Sequence, residues 1–461
     1  MEESVKEYDV KAIAKIAVVI ILPLLLFVVP TGEAYTSSVK AFAVITILAI
    51  SLFATEVINN TIVALLLPVL YIIFKVAPAN IVFEPWTGNV PWMTLGGLLI
   101  SMILNRVGLL RRLAYTLIIK TGGTYKGLLF GIMFSGIIVH LIAPGSGLVP
   151  FAAITYGICI ALDLGKSKQS AAIMLTGLFS AWIPHFFIYN PTYAIVQNLG
   201  GTVGNTHVSY LQYFMHNMPY LPYLALLVYI ISRVTAPSED SGNYKAYAEN
   251  ELAKLGSISR DEKKALFVSA LLLIFLITTD YHGIDIGWGF ILSASLFYLP
   301  GIDIGTKEDV EGVNYGLVIF AAACLSIGSA ASHLGVGEMV AKAILPVVAE
   351  ASPYTIAAMI FVLMFVCNFL LTPMALYSAF TVPLTQIAAS LSIPALVTSY
   401  IVFSAGTEIV LPYEWAYGLF YFSFGLMTVK DFALIFGTKA ILSFIWLLAV
   451  MMPYWKLIGL F

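Results

Sequence analysis

Phe179-Ser180-Ala181-Trp182-Ile183-Pro184-His185-Phe186-Phe187-Ile188-Tyr189-Asn190-Pro191-Thr192-Tyr193 is an apolar run that ends on an Asn-Pro pair, and it has an echo 224 residues on. Phe403-Ser404-Ala405 returns, and Tyr413-Glu414-Trp415-Ala416-Tyr417 stands at the matching distance. Upstream, Val107-Gly108-Leu109-Leu110 is matched by Leu334-Gly335-Val336-Gly337 at a similar offset. A proline inside an apolar helix removes a backbone donor and frees a carbonyl. Such an interruption survives at membrane depth only where protein covers it or a cavity borders it. Two interrupted helices at corresponding places in two halves are the mark of a secondary transporter built from repeats.

Composition agrees. Of 461 residues, 60% are hydrophobic and 10% charged, with a mean hydropathy of +0.94. About a quarter of an ordinary soluble domain is charged, so most of this surface must face lipid. A net charge of −2 leaves no basic footprint for nucleic acid. Cys159, Cys324 and Cys367 all lie in apolar segments and read as core residues. No metal spacing, nucleophile motif or paired intramembrane aspartates point to an enzyme.

Thirteen apolar segments are candidate helices: 13–30, 38–54, 60–76, 92–105, 128–142, 171–189, 213–232, 264–279, 287–300, 316–332, 354–371, 396–411 and 432–453. Residues 143–162 and 372–392 are apolar but open on Pro-Gly and Pro-Met. They read as returning arms, which makes 128–162 and 354–392 two re-entrant hairpins. The expected fold is an all-α polytopic membrane protein of inverted repeats, with about eleven spans and two hairpins. Residues 1–37 form an interfacial helix and first span, 38–233 the first repeat, 234–263 a solvated linker and 264–461 the second repeat. With the N-terminus in the cytoplasm, 17 of the 23 basic residues fall inside, and the C-terminus falls outside.

Thr55-Glu56, Asn59-Asn60-Thr61 and Ala64-Leu65-Leu66-Leu67-Pro68 resemble the second-to-third-span signature of the divalent anion:sodium symporters, the dicarboxylate, citrate and sulfate carriers. Gly96-Gly97-Leu98-Leu99-Ile100-Ser101, with Gly108-Leu109-Leu110-Arg111-Arg112-Leu113-Ala114, resembles their fourth span and interfacial arm. The resemblance covers about residues 11–461. It implies an elevator-type, ion-coupled or exchanging carrier of a small anion, a di- or tricarboxylate first, working as a homodimer in the cytoplasmic membrane. The family carries Ser-Asn-Thr at each hairpin tip and Pro-Pro-Asn at each break. Here the tips read Ala143-Pro144-Gly145-Ser146-Gly147 and Thr372-Pro373-Met374-Ala375, so both triplets are missing. The breaks read Asn190-Pro191-Thr192 and Pro412-Tyr413-Glu414-Trp415.

Candidate substrate contacts follow from tips and breaks: Pro144, Gly145, Ser146, Gly147, Asn190, Pro191, Thr192, Thr372, Pro373, Met374, Pro412 and Glu414. Half-helix N-termini supply positive potential to an anion without a buried cation. A sodium ion is expected near Gly145, Ser146 and Thr372, or a proton takes its place; no other cofactor is implied. Glu408, Glu414 and His185 are the candidate coupling groups, because an acid in an apolar span is costly unless it functions. His185 and His140 also fit the role of core histidines bonded to carbonyls. Glu56 fits either the family signature or a helix-end pairing. Lys439 is expected to snorkel to the interface. A cation/proton antiporter on the same fold remains the other open reading.

Overall fold

A computed structural model describes residues 10–32, 35–55, 57–121, 123–237, 244–336, 339, 351–369 and 371–461. Among them every regular element is helical. The helices that matter here are α1 Val10–Val28, α2 Ser37–Thr55, α3 Asn60–Ile73, α4 Asn89–Arg106, α5 Leu109–Lys120, α6 Tyr125–Ile142 and α7 Leu148–Ala161. They continue with α8 Lys168–Trp182, α9 Pro191–Gly201, α10 Tyr210–Asn217, α11 Tyr220–Val234, α12 Tyr244–Lys254, α13 Arg260–Ile277 and α14 Ile286–Leu296. The last are α15 Tyr315–His333, α16 Pro353–Asn368, α17 Pro373–Ser390, α18 Ala395–Ala405, α19 Ala416–Ser423, α20 Val429–Trp446 and α21 Met452–Leu457.

Each of the thirteen apolar segments overlaps at least one of these helices, although 171–189 and 396–411 run past helices that end at Trp182 and Ala405, and both returning arms are helical. Tyr125–Ile142, Lys168–Gly201, Tyr315–His333 and Val429–Leu457 are long and apolar enough to cross a membrane. Two more candidates are bent pairs, α4 with α5 at 65° and α10 with α11 at 49°. Seven others are shorter apolar helices. Residues 1–9 of the expected interfacial helix lie outside the described residues, as does Glu56; from Val10 the helix runs without a break to Val28.

The sequence signatures have local causes. Asn59 caps α3, its side-chain oxygen accepting from the Thr61 amide at 2.8 Å. Gly96 lets α4 lie against α14: a Cβ there would sit 2.5 Å from the Phe290 carbonyl carbon. Gly108, with φ +89°, turns the chain from α4 into α5, and Gly335, with φ +63°, follows α15 in the same left-handed geometry.

The two halves exchange partners. α2 and α3 of the first half pack on α15 of the second, while α13 and α14 of the second pack on α4 of the first. A separate hydrophobic core records the first of these contacts, joining Phe53, Leu67 and Tyr71 to Phe320, Cys324 and Ile327. Two arginines tie the exchange at one end. Arg106 grips Asp309 with two N–H groups, at 2.9 and 2.7 Å. Arg112 grips both oxygens of Glu262 and the carbonyls of Leu255, Gly256 and Ser257. Burial works against both carboxylates, but the guanidinium and the capped backbone amide beside each hold them below their ordinary pKa.

Within 234–263, the described residues from 244 onward include a helix that the polarity of the stretch does not suggest. This helix, α12, buries Tyr244 and Ala248 and packs on α5. Tyr247 meets the Tyr115 ring edge-on. A helix that buries one narrow face keeps a polar composition, so hydropathy alone marks it as solvated.

Candidate functional site

The first tip is a tight turn with αL glycines on either side of Ser146: φ is +89° at Gly145 and +110° at Gly147. Ser146 is buried, and both its amide and its hydroxyl donate to the Ala143 carbonyl. α7 therefore starts at Leu148 with no side chain capping its N-terminus. The tip seats on the first break: a Cβ on Gly145 would be 3.4 Å from Pro191 Cδ. Pro191 also meets Gly97 of α4, where a Cβ would lie 3.2 Å from its ring.

At the first break, Asn190 is fully buried and its amide is fully committed. The oxygen accepts from the Thr192 and Tyr193 amides at 3.0 Å each. The nitrogen donates to the His185 and Ile188 carbonyls at 2.9 Å each. Pro191 takes the first helical position of α9, where its missing N–H costs nothing. Both histidines are buried and behave as core histidines: His140 Nδ1 donates to the Gly136 carbonyl at 3.0 Å, and His185 Nδ1 to the Trp182 carbonyl at 2.8 Å. Their rings meet edge to face at 4.6 Å, and His185 stacks on Trp182 at 4.5 Å.

The second break is charged. Glu414 is buried, and its carboxylate accepts from the Leu411 amide at 2.8 Å and the Val410 amide at 3.2 Å. It holds the end of the unwound stretch as Asn190 holds the first, through backbone N–H groups. Glu408 is 1% exposed and pairs at 2.7 Å with Lys439, which is equally buried. Lys439 does not snorkel. Its ammonium also donates to the Thr407 carbonyl at 3.3 Å. An ammonium this deep needs an acid partner, and the second break supplies one.

The second hairpin closes on this break. Asn368, at the end of α16, donates to the Ala405 carbonyl at 3.4 Å, and Tyr377 of α17 donates to the Phe403 carbonyl at 2.9 Å. Thr372 and Pro373 begin α17, again with no side-chain cap. Met374 packs against both hydrophobic cores. The breaks meet through aromatic rings, Trp182 against Trp415 at 4.8 Å. α19 reaches the first tip, where Tyr421 donates to the Leu148 carbonyl at 2.7 Å.

Tip one, break one and break two are thus in mutual contact, and tip two abuts break two. The described contacts do not join Ser146 to Thr372. Sequence reasoning missed Asn368, whose side-chain oxygen is buried without a partner among the described residues. A lone amide inside an apolar arm was the available signal. It also missed the partnership of Lys439 with Glu408. Five buried polar atoms at the two breaks lack partners among the described residues: His140 Nε2, Trp182 Nε1, Tyr193 Oη, Asn368 Oδ1 and Glu408 Oε2.

The profile of the sodium:sulfate symporter transmembrane region matches residues 10–461. The chain belongs to the sodium:sulfate symporter family. The expected resemblance therefore stands, and with it a multi-pass membrane transporter. Among solved structures, the YdaH transporter of Alcanivorax borkumensis, described as having an unusual topology, is similar at a TM-score of 0.57. The alignment covers 82% of this chain and 86% of that one at 14% identity. At that identity it speaks for the fold. No curated protein matches the chain significantly.

Proposed function

We propose that this symporter-family member carries a small anion, a di- or tricarboxylate first, across the cytoplasmic membrane. One observation carries the reading. Three half-helices, α7, α17 and α19, start at the tips and the second break with no side chain capping their N-termini. Uncapped N-termini present backbone N–H groups and partial positive charge to an anion. The only basic side chain described at the breaks, Lys439, is already neutralised by Glu408, which leaves the helix ends to meet the substrate. Gly145, Ser146 and Gly147 bring the backbone of the first tip close, and Thr372, Pro373 and Met374 do so at the second. Asn190, Pro191, Thr192, Pro412 and Glu414 set the walls.

The hairpins, broken helices and α11 move as one body against a scaffold of α2, α3, α13 and α14, in an elevator motion. The reciprocal packing of the halves supports it, since it gives each half one scaffold pair and one mobile set. The N-terminus faces the cytoplasm, the C-terminus faces out, and two copies form the working unit. A sodium ion near the first tip or a proton drives uptake, or a second anion exchanges for the first.

Counterflow in proteoliposomes tests the reading. Liposomes loaded with unlabelled C4-dicarboxylate should accumulate labelled dicarboxylate, with competition from tricarboxylate or sulfate. Exchange of protons for monovalent cations with no anion requirement would favour the antiporter instead.

A further inference from the structure

The buried pair at the second break stands apart from the uncapped helix ends proposed to meet the anion. Lys439 Nζ lies 2.7 Å from Glu408 Oε1 and 3.3 Å from the Thr407 carbonyl oxygen. The second carboxylate oxygen, Glu408 Oε2, is buried with no partner among the described residues. All three oxygens belong to the unwound stretch that follows Ala405. Carboxylate and unwound main-chain carbonyl oxygens are the donors that transporters offer to a monovalent cation. The ammonium among them comes from α20, a different element, at the end of a flexible four-carbon stem. The stretch is also where the second hairpin closes, through the bond from Asn368 to Ala405.

We infer that Lys439 is a tethered cation: its ammonium fills a monovalent-cation site made by Glu408 and the Thr407 carbonyl, and holds the second break without a diffusible ion. The inference rests on the second break belonging to the transport site. It explains how Glu408 is tolerated beside an anion path, because the pair carries no net charge. It also has a consequence that a plain structural ion pair lacks. Removing the ammonium and leaving the oxygens should turn the site into one that a free cation occupies.

The experiment uses the full chain in nanodiscs. Melting is followed in N-methylglucamine, potassium, sodium and methylammonium chlorides at equal ionic strength. For Lys439→Ala, sodium or methylammonium should raise the melting temperature by about 5 °C more than in wild type, relative to N-methylglucamine. The double variant Glu408→Gln/Lys439→Ala should lose that excess. Recovery of Lys439→Ala only in sodium or methylammonium would also count for the inference. It is overturned if Lys439→Ala responds as wild type does, if the double variant keeps the excess, or if Lys439→Ala is recovered in none of the four salts. A dicarboxylate-induced melting shift of the wild type is read alongside. Its absence would overturn the anion reading and leave the cation result standing.

Discussion

The two breaks lie at matching positions of the sequence, 224 residues apart, and are held by different chemistry. At the first, a neutral amide satisfies two donors and two acceptors of the backbone around it, so Asn190 closes its own hydrogen-bond account. At the second, Glu414 caps two amides, and a further acid, Glu408, is paired with an ammonium from a distant helix. Each break has a short 3-10 turn before the next helix, but different groups hold the two. A break needs its freed backbone groups paired, and either an amide or a carboxylate can do that. Among the described residues, the second break alone also holds a buried ion pair, Glu408 with Lys439. The second break is therefore held in part by a buried ion pair, and the first by neutral groups.

That asymmetry predicts unequal damage. Lys439→Met leaves Glu408 buried and unpaired, and should cost about 3–5 kcal/mol of stability, the largest single effect here. Denaturation in detergent checks it, and a loss under 1 kcal/mol would make the second break no more charge-dependent than the first. Asn190→Ala removes the cap and strands two carbonyls, for about 2–3 kcal/mol. Sodium should not restore it, whereas a charge lost at the second break is one that a cation can replace. Glu414→Gln keeps an oxygen for one amide. It should preserve dicarboxylate exchange while altering its dependence on pH or sodium; unchanged dependence in counterflow would reduce Glu414 to a cap.

The smallest effect lies away from both breaks. Asp309 is held below its ordinary pKa in the folded chain. Its contribution should be complete above the usual carboxylate range and disappear as pH falls through the lowered value. Arg106→Gln should remove about 1 kcal/mol near neutral pH and flatten the acid limb of the melting profile. An unchanged acid limb would show that the clamp is idle.

Much of the fold was legible because apolar runs and their Pro, Gly and Asn punctuation set helix ends locally. Asn59, Gly108, Asn190 and Pro191 each act within a few residues of themselves. Glu414 was reachable as well, since the repeat placed it opposite Asn190. What stayed hidden depends on distance along the chain. Lys439 and Glu408 lie 31 residues apart on different elements, so one looked like a snorkelling lysine and the other like a lone acid. Arg106 and Asp309 are 203 residues apart, and nothing local announces their pairing. The exchange of scaffold helices between halves is likewise a tertiary fact. The helix in the linker escaped notice because so few of its side chains are buried.

The central claim is that tips and breaks from both halves face one anion from opposite sides of the membrane. Single cysteines at Ser146 and at Thr372, in a chain whose Cys159, Cys324 and Cys367 are replaced, test it most directly in proteoliposomes with a membrane-impermeant thiol reagent. The account predicts that the two positions label from opposite faces, and that C4-dicarboxylate slows labelling at both. Labelling of both from the same face in every condition, with no protection by dicarboxylate or sulfate, would contradict it.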